Sequence, residues 1–431
     1  MTKIAFLGAG STVFAKNVLG DCLLTESLRN SEFALHDIDP QRLEESAMML
    51  KNLNENAGGH GKIASYLDRR EALKDADYVV NAIQVGGYEP ATVIDFEVPK
   101  RYNLRQTIGD TLGIGGIFRA LRTLPVLEEF ARDMEELCPD AWLLNYTNPM
   151  SILTGYLLRY TGVNTIGLCH SVQICSWELL SGLGIDMENV VDFIAGINHM
   201  AWLLKLEKDG EDIYPRVRRL AAEREPDHHD LVRYEMMRRF GYYVTESSEH
   251  NAEYLPYFIK SQYPELIERY KIPLDEYPRR CEAQIAGWEK MRDELVHNKQ
   301  LEHRLSNEYG SRIMNAMQTN SPYKIGGNVL NNGLITNLPQ DACVEVPCLV
   351  DGSGIHPCHV GELPPQLAAL NRTNINVHLL TIEAFVTKKK DNIYHAALLD
   401  PHTSAELSID DIVALCDDLI EAHGDWLPEF V

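Results

Sequence analysis

The sequence predicts an α/β fold in which a parallel sheet on the N-terminal side merges with a C-terminal α+β domain. Three observations predict it. Short apolar runs alternate with helical patterns over the first 200 residues, as in a parallel sheet covered on both faces. A glycine-rich turn follows the first of these runs directly. After about residue 190 the pattern changes, yet no Ser/Gly linker, repeat or low-complexity tract intervenes. The expected domains are therefore residues 1–190 and residues 191–431, packed as one body.

Taken in order, Ile4–Gly8, Phe33–His36, Lys62–Tyr66, Tyr78–Ala82, Trp142–Asn145 and Thr165–Leu168 read as strands. Asp39-Pro40 is a helix start, with Asp as N-cap and Pro at the first position, and Asn148-Pro149 repeats the signal. Val190–Asn198 is a further strand, and Ala201–Glu207 with Asp209-Gly210 a hairpin. Residues 217–304 are helical, polar and aromatic. Lys324–Leu338 and Val344–Asp351 read as short strands, Leu367–Lys390 and Glu406–His423 as long helices.

Charge and cysteine usage exclude whole classes of function. Forty Lys and Arg against 63 Asp and Glu give a formal net charge of −23. That argues against nonspecific nucleic-acid binding, which rests on neutralising phosphates, and against docking on an anionic membrane. The nine cysteines are odd in number and contain no CxxC pair, which fits a reducing compartment. The apolar stretch after Met1-Thr2-Lys3 is too short for a signal peptide. No run of about 18 apolar residues suggests a membrane span. The expectation is a cytoplasmic protein.

Gly8-Ala9-Gly10-Ser11-Thr12 lies between the first strand and a helical run. The first Gly permits a tight turn, the second lets a pyrophosphate approach the backbone, and the helix N-terminus offers free N–H groups. The third glycine of the G-x-G-x-x-G pattern is replaced by Val13. An acid at the end of the second strand completes such a Rossmann-like site. Asp39 is occupied as the N-cap, so Asp37 is the candidate for the ribose hydroxyls, which favours NAD over NADP. Its ordinary alternative is a loop cap. Asn81 and Gln84, in a strand that runs on to Gly86-Gly87, and Asn145-Tyr146-Thr147-Asn148 end strands at the same side of the sheet, where ligands of open α/β sheets bind.

Three further segments carry chemistry. Gly109-Asp110-Thr111-Leu112-Gly113-Ile114-Gly115-Gly116 precedes a helix reaching about Leu137. Asp110 either faces a ligand there or caps that helix. Cys169-His170 and Asn198-His199 follow strands, and a Cys and a His from neighbouring strand ends suit a borderline divalent metal. Two protein ligands are too few for a closed structural site, so such a metal would be catalytic. Tyr242-Tyr243 and Glu246-Ser247-Ser248-Glu249-His250 crowd phenols, acids and an imidazole into one stretch.

These motifs resemble family 4 of the glycoside hydrolases. The resemblance is nearly end to end: Phe6 to Thr12, Asp77-Tyr78-Val79-Val80, Gly86-Gly87-Tyr88-Glu89-Pro90, Asp110-Thr111-Leu112-Gly113, Asn145 to Met150, Cys169 to Gln173, Gly196 to Met200, Tyr242 to His250 and His423 to Pro428. Its Cys169-His170-Ser171-Val172 form is similar to the melibiose-cleaving α-galactosidases of that family. The resemblance implies hydrolysis of α-galactosides of the melibiose and raffinose type, outside the two-carboxylate scheme of most glycosidases. It implies oxidation at sugar C3 by NAD, removal of the C2 proton with loss of the aglycone, water addition and re-reduction. A divalent metal, usually Mn2+, would hold the C2 and C3 oxygens.

The same resemblance implies Cys169 and His199 as metal ligands and Asn148 as a substrate contact. Tyr242 is implied as the base, with Tyr243 beside it, and Asp110 as the group that raises its basicity. His170 is implied as the proton donor, with metal-bound water or His250 as alternatives. A homodimer or homotetramer is expected. Two other readings compete. One is the same mechanism on α-glucosides or α-galacturonides and α-glucuronides. The other is a plain NAD-dependent 2-hydroxy-acid dehydrogenase, because the nucleotide half is lactate/malate dehydrogenase-like. A non-catalytic NAD-binding protein is a further alternative.

Overall fold

The computed structural model describes residues 1–431. Six strands form the N-terminal parallel sheet: β1 (Lys3–Leu7), β2 (Glu32–His36), β3 (Lys62–Tyr66), β4 (Tyr78–Asn81), β5 (Trp142–Asn145) and β6 (Asn164–Gly167). They lie in the order β3-β2-β1-β4-β5-β6, the doubly wound order whose direction reverses between β1 and β4. Side chains alternate across the sheet, and both faces are covered except at the edge strand β3, whose residues are half-buried or exposed. Ile4 and Phe6 enter one apolar cluster, Ala5 and Leu7 the other, as the period of two requires. That is why these strands read as unbroken apolar runs.

The second half continues the same sheet. Its strands are β7 (Val190–Ile197), β8 (Met200–Lys208), β9 (Glu211–Asp212), β10 (Tyr243–Val244), β11 (Tyr323–Leu330), β12 (Cys343–Asp351) and β13 (Gly354–Pro357). Strand β11 pairs antiparallel with β6 through Asn328 and Gly167, so the two halves share one 13-stranded sheet. No helix is long and apolar enough to cross a membrane.

Several local expectations meet a more detailed structure. The Asp39 carboxylate accepts from the N–H groups of Gln41 and Arg42 at 2.9 and 3.1 Å, with Pro40 at the first helical position. At Asn148-Pro149 the helix starts only at Met150. Pro149 itself takes the extended N-cap position, so the Asn148 side chain is left outside the cap. The stretch 217–304 is not purely helical. Gly241, at φ +91°, ends the helix Leu231–Phe240, and β10 pairs with β8. Strand β11 stops at Leu330, because the Asn331 amide then folds the chain back by donating to the carbonyls of Ile335, Leu338 and Pro339.

The C-terminal His423 closes a buried charge cluster. Asp95 accepts two bonds from the Arg122 guanidinium at 3.0 and 2.7 Å and faces His423 Nε2 at 3.0 Å. Arg122 also donates to the Val85 carbonyl in the loop after β4. Asp95→Ala should therefore leave a buried guanidinium without its counter-charge. We expect a loss of about 3–5 kcal/mol of stability, measured by denaturant unfolding.

Candidate active site

The glycine turn forms one wall of the site. Gly8 has φ +87°, and a Cβ there would lie 2.7 Å from the Ala82 carbonyl oxygen. A Cβ on Gly10 would lie 2.7 Å from the Asp37 carboxylate. Asp37 accepts from the Gly10 N–H at 2.6 Å and so closes the turn against the end of β2. Ser11 bonds back to the Gly8 carbonyl and gives no side-chain cap to the helix Thr12–Leu24, whose first turn holds no acid. The N–H groups of that helix end remain free for an anion, so the residues present fit a dinucleotide pyrophosphate.

Not every residue expected beside the cofactor lines the cleft next to this turn. Ser11 and Gln84 line a cleft of about 240 Å³. Thr12 is buried and bonded to Ser46 at 3.0 Å. Asn81 is fully buried beneath the strand ends and donates to Asn145 and Thr147 at 2.9 and 3.2 Å. It supports the Asn145–Asn148 loop from behind.

The far wall of the cleft carries Cys169, His170, His199 and Asn148. Strand β6 delivers the first two, while the turn between β7 and β8 delivers His199. Glu246 joins them: the ligand atoms of Cys169, His199 and Glu246 all lie within 4.8 Å of one another. Glu246 holds a left-handed φ of +64°, a conformation costly for a side chain with a Cβ. Its carboxylate lies 3.8 Å from Cys169 Sγ and 3.6 Å from His199 Nε2. Burial alone would lower the His199 pKa, but the Cys169 sulfur and the Glu246 carboxylate raise it to about 10. Burial would raise Glu246, yet His250 and His199 pull it down to about 2. Soft sulfur, imidazole and carboxylate converging on one point, and together favouring a positive charge there, fit a borderline divalent metal.

Asp110 stands beside this cluster. It accepts from the Thr111 hydroxyl at 2.8 Å and from the Asn148 amide at 3.2 Å, and lies 3.8 Å from His250 Nε2. Burial opposes its charge, but His250 and Arg119 outweigh that and hold its pKa below the usual carboxylate value. Asn148 is thus oriented by Asp110. The loop carrying Asp110 is fixed by Glu253, whose carboxylate accepts from the N–H groups of Thr107, Ile108 and Gly109. His170 faces Glu308, with Nε2 2.5 Å from Oε1, and that bond raises its pKa against the effect of burial.

Neither tyrosine of the Tyr242-Tyr243 pair lines the cleft. Tyr242 packs against Tyr214 and under the Arg218 guanidinium, with centroid distances of 5.9 Å to each. Tyr243 is fully buried and donates to Asp230. A different phenol lies beside a cleft residue and feels the Asp110 charge. Tyr277, in the helix Glu276–Leu295, has its ring 5.8 Å from the cleft residue Arg119. Desolvation in its half-buried setting raises its pKa, Arg119 opposes this and Asp110 adds to it. Sequence reasoning did not single out Glu246 for the metal, nor Tyr277 and Glu308 for the site. The motif around Tyr242 contained Glu246. Arg119, weighed only as the carboxylate-binding arginine of a dehydrogenase, lies in the helix that follows the Asp110 loop. Nothing local marked Tyr277 and Glu308, which come from distant segments.

Residues 3–185 match the family 4 glycosyl hydrolases, and residues 194–403 match the family 4 glycosyl hydrolase C-terminal domain. The chain belongs to family 4 of the glycosyl hydrolases. This family 4 chain is 66% identical over 431 residues to an alpha-galactosidase of Bacillus subtilis, covering 100% of both chains. Its fold is similar to that of a 6-phospho-alpha-glucosidase from gut microorganisms in complex with NAD and Mn2+. That likeness has a TM-score of 0.82 at 21% identity and covers 100% of both chains. It is also similar in fold to malate dehydrogenase from Plasmodium falciparum with NADH, at a TM-score of 0.51 and 15% identity, covering 91% of this chain and 100% of that one. The α/β architecture of dehydrogenase type is therefore that of the family.

Proposed function

We propose that this family 4 enzyme is an α-galactosidase that works with NAD+ and a divalent metal, Mn2+ first among the candidates. The observation that carries the reading is the meeting, in one cleft, of Ser11 at the free helix end after Gly10 with Cys169 and His199, whose ligand atoms converge with that of Glu246. Full-length identity of 66% to an alpha-galactosidase supports the choice of sugar. Bound there, NAD+ would supply a hydride acceptor for a sugar carbon, and the metal would supply polarisation of the adjoining oxygens.

The chain's own residues do the rest. Cys169, His199 and Glu246 would hold the metal. Asn148, oriented by Asp110, presents its amide to a sugar hydroxyl. His170 stands at the cleft where a leaving oxygen needs a proton. Arg119 is the guanidinium among the cleft residues, and it is engaged by the Asn148 carbonyl at 3.3 Å and the Tyr277 ring. A phosphate or carboxylate at sugar C6 would ask for a bidentate arginine, and Arg119 already commits Nε to the Asn148 carbonyl. The neutral galactoside is the choice that the 66% identity supports. In a panel of nitrophenyl glycosides with NAD+ and Mn2+ present, p-nitrophenyl α-galactoside and melibiose should be cleaved. The α-glucoside, α-glucuronide and α-galacturonide should be poor. Preference for a uronide would overturn the substrate and keep the family.

The base is proposed as a tyrosine, and the surroundings favour Tyr277 over Tyr242. Neither ring lines the cleft, but Tyr277 packs 5.8 Å from the cleft residue Arg119 and is the phenol whose pKa the Asp110 charge helps to raise. Tyr277→Phe should lower turnover by about 10²–10⁴-fold with NAD+ and Mn2+ binding retained, while Tyr242→Phe should stay within a few-fold. The reverse ranking would return the role to Tyr242.

A homodimer or homotetramer is part of the same proposal. The helix Glu276–Leu295 has no buried residue, and its Ile285 is 60% exposed. Light scattering of the purified chain decides this point.

A further inference from the structure

The segment just before the helix Gly310–Thr319 grips two consecutive site residues at once. Tyr309 Oη accepts from the Cys169 N–H at 2.8 Å and donates to the Cys169 carbonyl at 3.0 Å. Its neighbour Glu308, only 4% exposed, places Oε1 2.5 Å from His170 Nε2. The other carboxylate oxygen is buried without a partner. The segment is anchored in turn to the nucleotide side of the molecule. The Glu308 N–H donates to Ser306 Oγ at 3.0 Å, and Ser306 donates to Asp21 through its hydroxyl at 2.7 Å and its N–H at 2.9 Å. Asp21 also meets His303 Nε2 at 2.6 Å and lies in the helix that begins at the glycine turn.

His170 needs such a hold. Its side chain is 45% exposed at the cleft, and Nδ1 makes no hydrogen bond within the chain. The nearest ring, Tyr146, lies 6.5 Å away at 47°, a contact that does not select a rotamer. An imidazole with one nitrogen tied and the other free has its direction fixed by the tie. Without it, the ring redistributes among staggered wells, and the advantage of a prealigned donor is lost.

We propose that Glu308 is a positioning residue for His170, turning the imidazole so that Nδ1 faces the glycosidic oxygen of the bound sugar. The inference rests on the reading of His170 as proton donor given above. It makes the line Asp21–Ser306–Glu308 the device that sets the donor's direction from the nucleotide-binding half.

A merely structural role for Glu308 would slow all substrates alike, so the test uses two leaving groups. Nitrophenolate departs without a proton, whereas a sugar alkoxide requires one. In E308L the kcat for melibiose should fall at least about tenfold further than that for p-nitrophenyl α-galactoside, with Mn2+ and NAD+ dissociation constants unmoved. E308Q, whose amide oxygen still accepts from Nε2–H, should restore most of the melibiose rate. S306A should show the same split on a smaller scale and serves if E308L does not fold. H170Q is the reference. If H170Q splits the two substrates and neither E308L nor S306A does, Glu308 is structural and the inference falls, while the donor reading stands. If H170Q itself shows no split, the donor reading falls and this inference with it.

Discussion

Cys169→Ser should lose divalent metal binding and nearly all turnover, while Cys175→Ser should lose neither. Changing the partners that merely orient metal ligands typically costs 10–100-fold in affinity, so removal of a ligand should cost at least about a hundredfold. The contrast between the two cysteines is physical. Cys175 is fully buried in an apolar cluster and its thiol is pushed well above the ordinary range by desolvation, which makes it inert. Cys169 instead faces the cleft, with Ser171 Oγ at 3.2 Å and the Glu246 carboxylate at 3.8 Å. Serine keeps the size of the side chain but offers a hard, protonated oxygen to a borderline ion. Titration of free Mn2+ by electron paramagnetic resonance reads the affinity directly, apart from activity. Equal affinity in Cys169→Ser and the parent would remove Cys169 from the metal site. Glu246→Gln gives the companion measurement, because Glu246 is the third residue whose ligand atom converges with those of Cys169 and His199.

The inner strands β1, β4 and β5 were legible because burial on both faces leaves little room for polar alternation, so each appears as a short apolar run between helical patterns; the edge strand β3, half-buried or exposed throughout, was legible from its place in the alternation with helices. The glycine turn was legible because its demand is local: Gly8 and Gly10 are excluded from carrying a Cβ by the Ala82 carbonyl and the Asp37 carboxylate. Asn148 was legible at the ligand side of the sheet, where it lines the cleft, but its local pattern pointed to a helix cap. Pro149 occupies that position, and the amide reaches Asp110 instead. Residues whose role depends on distant partners left no trace. Glu308 meets His170 across 138 positions, and Tyr277 approaches Arg119 from a helix that looks like any polar surface helix. Tyr242 shows the opposite difficulty. Its motif stood out, yet the turn at Gly241 and the pairing of β10 with β8 carry the ring toward Tyr214 and Arg218. The sharing of one sheet between the halves was likewise foreshadowed only by the missing linker. It depends on Asn328 pairing with Gly167, where a Cβ on the glycine would collide with Asn328, Thr154 and Met150.

Enzyme stripped of nucleotide should be inactive toward p-nitrophenyl α-galactoside and should recover on addition of NAD+, with no accumulation of NADH. The first part follows from the shape of the glycine turn. The helix end after Gly10 has neither a side-chain cap nor an acid in its first turn, which keeps its N–H groups available to phosphate. The second part follows from stoichiometry, since hydrolysis of a glycoside involves no net oxidation. Two substitutions separate cofactor binding from chemistry. Gly10→Ala would place a methyl group 2.7 Å from the Asp37 carboxylate, so either the turn or Asp37 must shift. NAD+ affinity should drop by at least about tenfold, the equivalent of about 1.4 kcal/mol. Asp37→Ala removes the acceptor that holds the Gly10 N–H and the negative charge that disfavours a 2′-phosphate. It should weaken NAD+ and narrow the gap to NADP+, read by titrating each cofactor against intrinsic tryptophan fluorescence. Saturating NAD+ should restore turnover in both variants, because neither touches the Cys169–His199–Glu246 cluster. Full activity in preparations verified to be free of nucleotide would remove NAD from the reaction and leave the glycine turn as a structural feature of the fold.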